Sequence, residues 1–133
     1  MVRISHDLAD LDFETTSSLL RESYWGHRRT DEINRRAFAH SVCAIALVDG
    51  EQVGFARASG DRSVFMRLSD VIVWPDQRGR GVGKTLVAAL LGHPELRTVS
   101  TWMLNTGDAH GLYEHFGFRR VTDGNEMRLD RAL

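Results

Sequence analysis

The stretch from Val71 to Thr85 constrains this chain more than any other. Val71, Ile72 and Val73 are the β-branched centre of a strand, and Pro75 stops it. Glycines then alternate at 79, 81 and 83, and Val82, Leu86, Ala89 and Leu90 follow at helical spacing. The order is strand, stop, glycine loop, helix. Successive amides at a helix N-terminus point into one space with the helix dipole behind them, and glycines let a ligand approach the backbone closely. Such a place binds phosphate.

Three ligand classes use a glycine loop ahead of a helix. The dinucleotide pattern G-x-G-x-x-G fails, because counting from Gly79 it demands glycine where Lys84 stands. The triphosphate pattern G-x-x-x-x-G-K-[ST] is matched at its end by Gly83-Lys84-Thr85, but Arg78 occupies its first glycine position. A third pattern, R/Q-x-x-G-x-G/A, is matched by Arg78-Gly79-Arg80-Gly81-Val82-Gly83.

The flanking periodicity predicts the rest of the fold. Residues 2–5 read as a short strand, 10–22 as a helix carrying Leu11, Leu19 and Leu20, and a second helix starts near Thr30 with Ile33, Ala37 and Phe38. Val42 to Val48 is an apolar run, Asp49-Gly50 is a hairpin signal, and Gln52 to Ala58 resumes as a strand. After Gly60-Asp61, Val64 to Trp74 completes an antiparallel meander. The helix 82–91 ends at Gly92-His93-Pro94. Val99 to Leu104 is the next strand, Asp108 to Phe116 a short helix, and Phe118–Val121 and Glu126–Leu129 the closing strands. Hairpins followed by helix–strand alternation predict an α/β (α+β) fold: a mixed, mostly antiparallel sheet with helices on both faces. One parallel pair, 64–74 with 99–104, is expected near its middle, joined by a right-handed crossover. No repeat or linker divides the 133 residues, so residues 1–133 read as one domain.

The chain resembles the GNAT superfamily of acyl-CoA-dependent N-acetyltransferases. The loop at 78–83 is similar to that family's pyrophosphate loop, the Asp70-Val71-Ile72-Val73 strand to its central strand, and Leu112-Tyr113-Glu114-His115-Phe116-Gly117-Phe118 to its LYE-x-x-GF signature. Order and spacing agree over 42–129. The resemblance implies that Arg78, Gly79, Arg80, Gly81, Val82, Gly83, Lys84 and Thr85 hold the pyrophosphate of acetyl-CoA. It implies that Val71, Ile72 and Val73 pair with the pantetheine arm, and that strands 64–74 and 99–104 splay to admit the thioester. The asparagine that the family often places before the next helix falls at Thr106, with Asn105 one residue earlier; either is a candidate cofactor contact.

Acetyl transfer to an amine requires a neutral nucleophile, a stabilised oxyanion and a proton for the leaving thiolate. Ala109, Leu112, Tyr113 and Phe116 share one helical stripe, so Tyr113 points into the protein. The resemblance makes Tyr113 the general acid, and a backbone amide of the 71–74 strand would stabilise the oxyanion. Asp70, Glu22 and Asp61 are the candidate bases. Tyr24 and Trp25 follow the first helix, where they either line an amine pocket or pack as core. The acceptor expected is a small-molecule amine or an amino acid, with a protein amine as a further possibility. The alternatives are an acyl-CoA-binding sensor without turnover and a nucleotide-binding phosphate-loop protein.

Composition narrows the partners. A formal charge of -1 gives no pull toward nucleic acid or membrane, and no apolar run approaches a membrane span. Arg28-Arg29 and Arg35-Arg36 read as a solvated helix face. The N-terminus lacks a signal-peptide pattern, so a cytoplasmic protein is expected. Cys43, the single cysteine, excludes an internal disulfide and reads as a small core hydrophobe. His110 and His115 are about 140° apart around a helix and form no metal pair, so no metal is expected. The closing strands would also allow pairing across a homodimer.

Overall fold

The computed structural model describes residues 1–131. Strands β1 (Arg3–Ser5), β2 (Val42–Val48), β3 (Glu51–Gly60), β4 (Phe65–Val73) and β5 (Thr101–Met103) lie in chain order in one sheet. Every neighbouring pair is antiparallel except β4 and β5, which run parallel. Helices α1 (Phe13–Glu22) and α2 (Asp31–Ala39) precede the meander, α3 (Val82–Leu91) links β4 to β5, and α4 (His110–Glu114) follows β5.

Local chemistry sets these boundaries. The Asp12 carboxylate accepts from the Thr15 amide and the Thr30 hydroxyl from the Ile33 amide, which starts α1 and α2 by side-chain capping. The helix expected from residue 10 starts later: Asp10 ends a 3-10 turn at Leu8–Asp10, Leu11 is extended, and Asp12 is the N-cap. Asp49 (φ 51°) and Gly50 (φ 80°) both have positive φ, as a two-residue hairpin turn requires. The expected helix at 108–116 is shorter: the Thr106 hydroxyl accepts from the Ala109 amide at its start, and Gly117 (φ 92°) ends its last turn.

The sheet buries both faces. Leu20 and Phe38, from α1 and α2, pack with Cys43, Ile45, Leu47, Phe55 and Ile72. Val82, Leu86 and Leu90 of α3 pack against Ala44, Ala46, Ala56 and Ala58 on the other side. Small residues on that face let α3 come close: a Cβ on Gly54 would stand 3.1 Å from both Leu86 Cδ1 and Val82 Cγ1.

Two irregularities shape the cleft. Between Phe55 and Arg57, β3 holds only Ala56, whereas β4 holds Asp70 and Val71 between Ile72 and Ser69. This is a β-bulge, and Asp70 takes φ 53° to make it. It exchanges the faces of β4: Met66 and Leu68 before it and Val71 and Val73 after it all meet the α3 core, while Ile72 joins the other. Second, β5 pairs with β4 only from Phe65↔Thr101 to Arg67↔Met103. Beyond Arg67, β4 runs on to Val73 with that edge free, which is the splay expected from sequence.

The closing strands are not formed. Residues 118–121 and 126–129 carry no strand, and Val121, Met127 and Leu129 are exposed. Alternation makes a strand only where a neighbouring strand pairs with it, and beyond Phe118, which packs on Tyr113, these residues stay largely exposed. The Asp123 carboxylate instead accepts from the Asn125 amide in a local turn. In consequence β5 is the sheet edge among the described residues, and the parallel pair lies there instead of near the middle.

Candidate active site

The glycine loop is shaped by two residues of the three. Gly79 (φ 80°) and Gly81 (φ 79°) are left-handed, a conformation costly for other residues, and Gly81 caps α3 with no side-chain bond to its amides. Gly83 is helical, and a Cβ there would make ordinary contact with Leu112 and Val73 at 3.7 and 3.8 Å. A Cβ at Gly79 or Gly81 would meet nothing within 4 Å, so the loop faces open space. The first α3 bond runs from the Thr85 amide to the Gly81 carbonyl at 3.1 Å, which leaves the preceding amides unpaired within the helix. No acidic residue occupies that first turn, and Arg78, Arg80 and Lys84 are exposed beside it. Arg78 Nε also donates to the Val73 carbonyl at 3.3 Å, tying the loop to the end of β4. The chemistry and the space fit a pyrophosphate.

At the other end of the free β4 edge lies a cavity of about 690 Å³, bordered by Tyr24, Trp25, Arg67, Asp70, Val71 and Tyr113 among others. Tyr113 is 9% exposed and stacks edge-on against Phe118 at 6.0 Å. Among the described residues its hydroxyl has no protein partner, yet no buried side-chain polar atom is left unpaired, so this oxygen is open to solvent at the cavity's border. Burial pushes the phenol up to about 12, with help from the negative charge of Asp108 and from Tyr24. Tyr113 therefore stays protonated across the neutral range. A smaller cavity of about 460 Å³ lies between β5, α4 and residues 118–126, and Tyr113 borders it too.

The candidate bases separate sharply. Asp70 has a side chain 1% exposed; its Oδ2 accepts from Arg57 Nε at 2.7 Å and Arg29 Nη1 at 2.8 Å, and its Oδ1 from Trp25 Nε1 at 3.2 Å. Burial raises the carboxyl, but the Arg29 hydrogen bond and the two guanidinium charges outweigh it and hold Asp70 below its ordinary value. A carboxylate so engaged is a poor proton acceptor, and it acts instead as the anchor of the α1–α2 loop. Arg29 continues this network to Asn34 Oδ1 at 3.4 Å, and Asn34 Nδ2 donates to Ser17 Oγ at 2.9 Å. Glu22 is exposed at the end of α1 and borders neither cavity. Asp61 accepts from the amides of Ser63, Val64 and Phe65 and shapes the β3–β4 turn. Besides the engaged Asp70, the carboxylate that borders the larger cavity with Tyr113 is Asp108, which the sequence pattern did not single out. Its one signal was its place at the head of the helix that carries Tyr113.

The sequence of residues 39–120 matches the acetyltransferase (GNAT) domain model. The chain belongs to the GNAT acetyltransferase family. A solved structure of a Xanthomonas campestris pv. campestris protein assigned to the GNAT family is 36% identical, covers 99% of this chain and 94% of its own, and superposes with a TM-score of 0.93. An uncharacterised N-acetyltransferase, ycf52, of Porphyra purpurea is 32% identical over 94 residues, covering 66% of this chain. The chain spans 40 to 54% of the length of the ycf52 relatives it matches. A Clostridium acetobutylicum protein classed as an acetyltransferase and crystallised with acetyl-CoA shares the fold at 16% identity, with a TM-score of 0.71 over 96% of each chain.

Within this GNAT frame, Asn105 and Thr106 both border both cavities. The Thr106 hydroxyl caps the start of α4, whereas the Asn105 amide, oriented to satisfy both its atoms, accepts from Arg67 Nη2 at 3.0 Å and donates to the Leu104 carbonyl at 3.1 Å. Tyr24 and Trp25 are exposed, meet edge-on at 5.1 Å and line the cavity wall, so they are not core. Among the described residues no three His, Cys, Asp or Glu side chains are grouped to hold a metal, and no helix is long and apolar enough to cross a membrane.

Proposed function

We propose that this chain is an N-acetyltransferase domain that transfers the acetyl group of acetyl-CoA directly to a primary amine of a small molecule or amino acid. One observation carries the reading: the unpaired edge of β4 runs from the open amides at the head of α3 to the cavity that Tyr113 borders. That is the layout an extended cofactor with a phosphate at one end and a reactive group at the other requires. Acetyl-CoA supplies an acyl group already activated as a thioester.

The chain's own residues do the rest. The amides of residues 79–84, with Arg78, Arg80, Lys84 and Thr85 around them, hold the pyrophosphate. Val71, Ile72 and Val73 offer backbone groups to the extended arm as a further strand would. Asn105 and Thr106 border its far side. Tyr113 holds a proton at Oη for the departing sulfur. A free thiol titrates near 8.5, below a phenol at about 12. The burial that raises the phenol also raises a thiolate lodged beside it, which narrows the difference. Asp108 takes the place considered for Asp70 and Glu22, drawing a proton from the incoming amine directly or through water. Tyr24 and Trp25 wall the acceptor.

The test is calorimetric titration with acetyl-CoA and, separately, with ATP and Mg²⁺, followed by thiol-release assays across an amine library. Acetyl-CoA binding with thiol release is expected. Binding of ATP alone would overturn the reading, and acetyl-CoA binding without transfer to any amine would make the chain an acyl-CoA sensor.

A further inference from the structure

The acceptor side of the larger cavity is lined by four guanidinium groups, Arg29, Arg57, Arg67 and Arg128, against two carboxylates, Asp70 and Asp108. Their partners are unequal. Asp70 is shared by Arg29 and Arg57, and Arg128 meets Asp130 at 3.0 Å. Arg67 has no carboxylate partner among the described residues; in the orientation that satisfies both its atoms, the Asn105 amide places its oxygen 3.0 Å from Arg67 Nη2.

Sheet register surrounds Arg67 with hydroxyls. Ser59 is its cross-strand partner on β3, and Ser69 follows two residues along β4 on the same face, opposite Arg57. Both serines border the cavity, and among the described residues neither hydroxyl has a protein partner. A half-buried guanidinium held from one side by an amide, with two unpaired hydroxyls beside it, is a receptor for a planar or tetrahedral oxyanion. The phosphates of acetyl-CoA do not reach it, because Arg67 lies six residues before Val73, about 20 Å back along the strand from the glycine loop.

We infer that the acceptor amine carries an anionic group, a carboxylate or a phosphate, and that Arg67, with Ser59 and Ser69, receives it. The inference rests on the acetyltransferase reading. It makes Arg67 a specificity-determining residue and places the acceptor with its anion at the point where β4 and β5 part and its amine toward Asp108 and Tyr113. Neutral amines leave Arg67 without an anionic partner, so they are selected against.

The test compares matched acceptors: amino acids against their carboxamides, and aminoalkyl phosphates against the parent amino alcohols. The anionic member of at least one pair should have a kcat/KM about tenfold or more higher. Arg67→Gln should erase that preference through the KM of the anionic acceptor, and Arg67→Lys should restore part of it. Preference in the first pair assigns a carboxylate and in the second a phosphate. Equal kcat/KM in both pairs, or an Arg67→Gln loss shared equally by neutral amines, overturns the inference and leaves the acetyltransferase reading standing. A second arm is independent of turnover: N-acetylamino acids and N-acetylated aminoalkyl phosphates are titrated into the wild type, Arg67→Gln and Ser59→Ala/Ser69→Ala. Binding by the wild type that weakens in the variants supports the site, and no binding by the wild type overturns it. Failure to bind acetyl-CoA counts against the acetyltransferase reading alone.

Discussion

Trp25 Nε1 donates to Asp70 Oδ1 across 3.2 Å, joining an exposed indole on the α1–α2 loop to a carboxylate inside the sheet. The cavity wall formed by Trp25 is thus hung from the same bulge that reorients β4. The position of this wall therefore depends on the sheet being formed.

Asp70→Asn should therefore cost far more than a surface change. It leaves Arg29 and Arg57 facing each other with no buried countercharge, for which a loss of about 3–5 kcal/mol is expected. Urea unfolding at neutral pH reads this directly. A change below 1 kcal/mol would show that the anchor contributes little.

The same group sets a pH dependence. Its folded value lies below the ordinary 3.8, so its contribution is fully present above that value and is lost as pH falls through the lower folded one. The stability gap between wild type and Asp70→Asn should hold from pH 7 to about 5 and close in strong acid. Denaturation midpoints across that range decide it.

Tyr113→Phe should lower kcat by roughly 10²-fold or more while leaving acetyl-CoA affinity within a few-fold. Because Tyr113 is raised from 10.0 to about 12, the wild-type rate should show no fall from its ionisation up to about pH 10. Wild-type turnover in the variant would remove the acid role.

At the loop, Gly81→Glu should abolish acetyl-CoA binding by placing a carboxylate where phosphate belongs. Gly81→Ala separates charge from strain: it has room for its Cβ but must hold φ 79°, at a cost of about 1–2 kcal/mol. Gly83→Ala, in ordinary contact with Leu112 and Val73, should fold normally. Circular dichroism beside calorimetry distinguishes lost binding from lost structure.

Cys43 should be inert. Burial pushes its thiol up to about 11, the Asp70 charge adds to this, and the Arg57 charge opposes it. Iodoacetamide at pH 8 should label it only in denaturant, and rapid labelling of the native protein would contradict the packing.

Why some of this was readable follows from where each signal resides. Asp49-Gly50, Thr30 and the Gly81–Gly92 interval carry their structural instruction in local backbone chemistry, so β2, β3, α2 and α3 could be placed from residues alone. The stripe through Leu112 and Tyr113 likewise pointed the phenol inward. The bulge at Asp70 could not be read this way. Its positive φ goes with a carboxylate bonded to Arg29 and Arg57, which come from elements distant in sequence. Residues 118–129 failed in the opposite sense: their alternation is right for strands, but strand formation needs a neighbouring surface that a pattern does not encode. Asp108 escaped notice because only three-dimensional placement sets it beside Tyr113.

The short register of β5 has a thermodynamic consequence. From Leu68 onward, β4 amides that point toward the cleft lack a ladder partner on that side, and they should exchange with deuterium faster than those facing β3. A ligand lying along that edge would slow their exchange. It would also raise the melting temperature in proportion to the logarithm of its concentration above Kd. A molecule lying there would supply the hydrogen-bond partners that the short β5 does not.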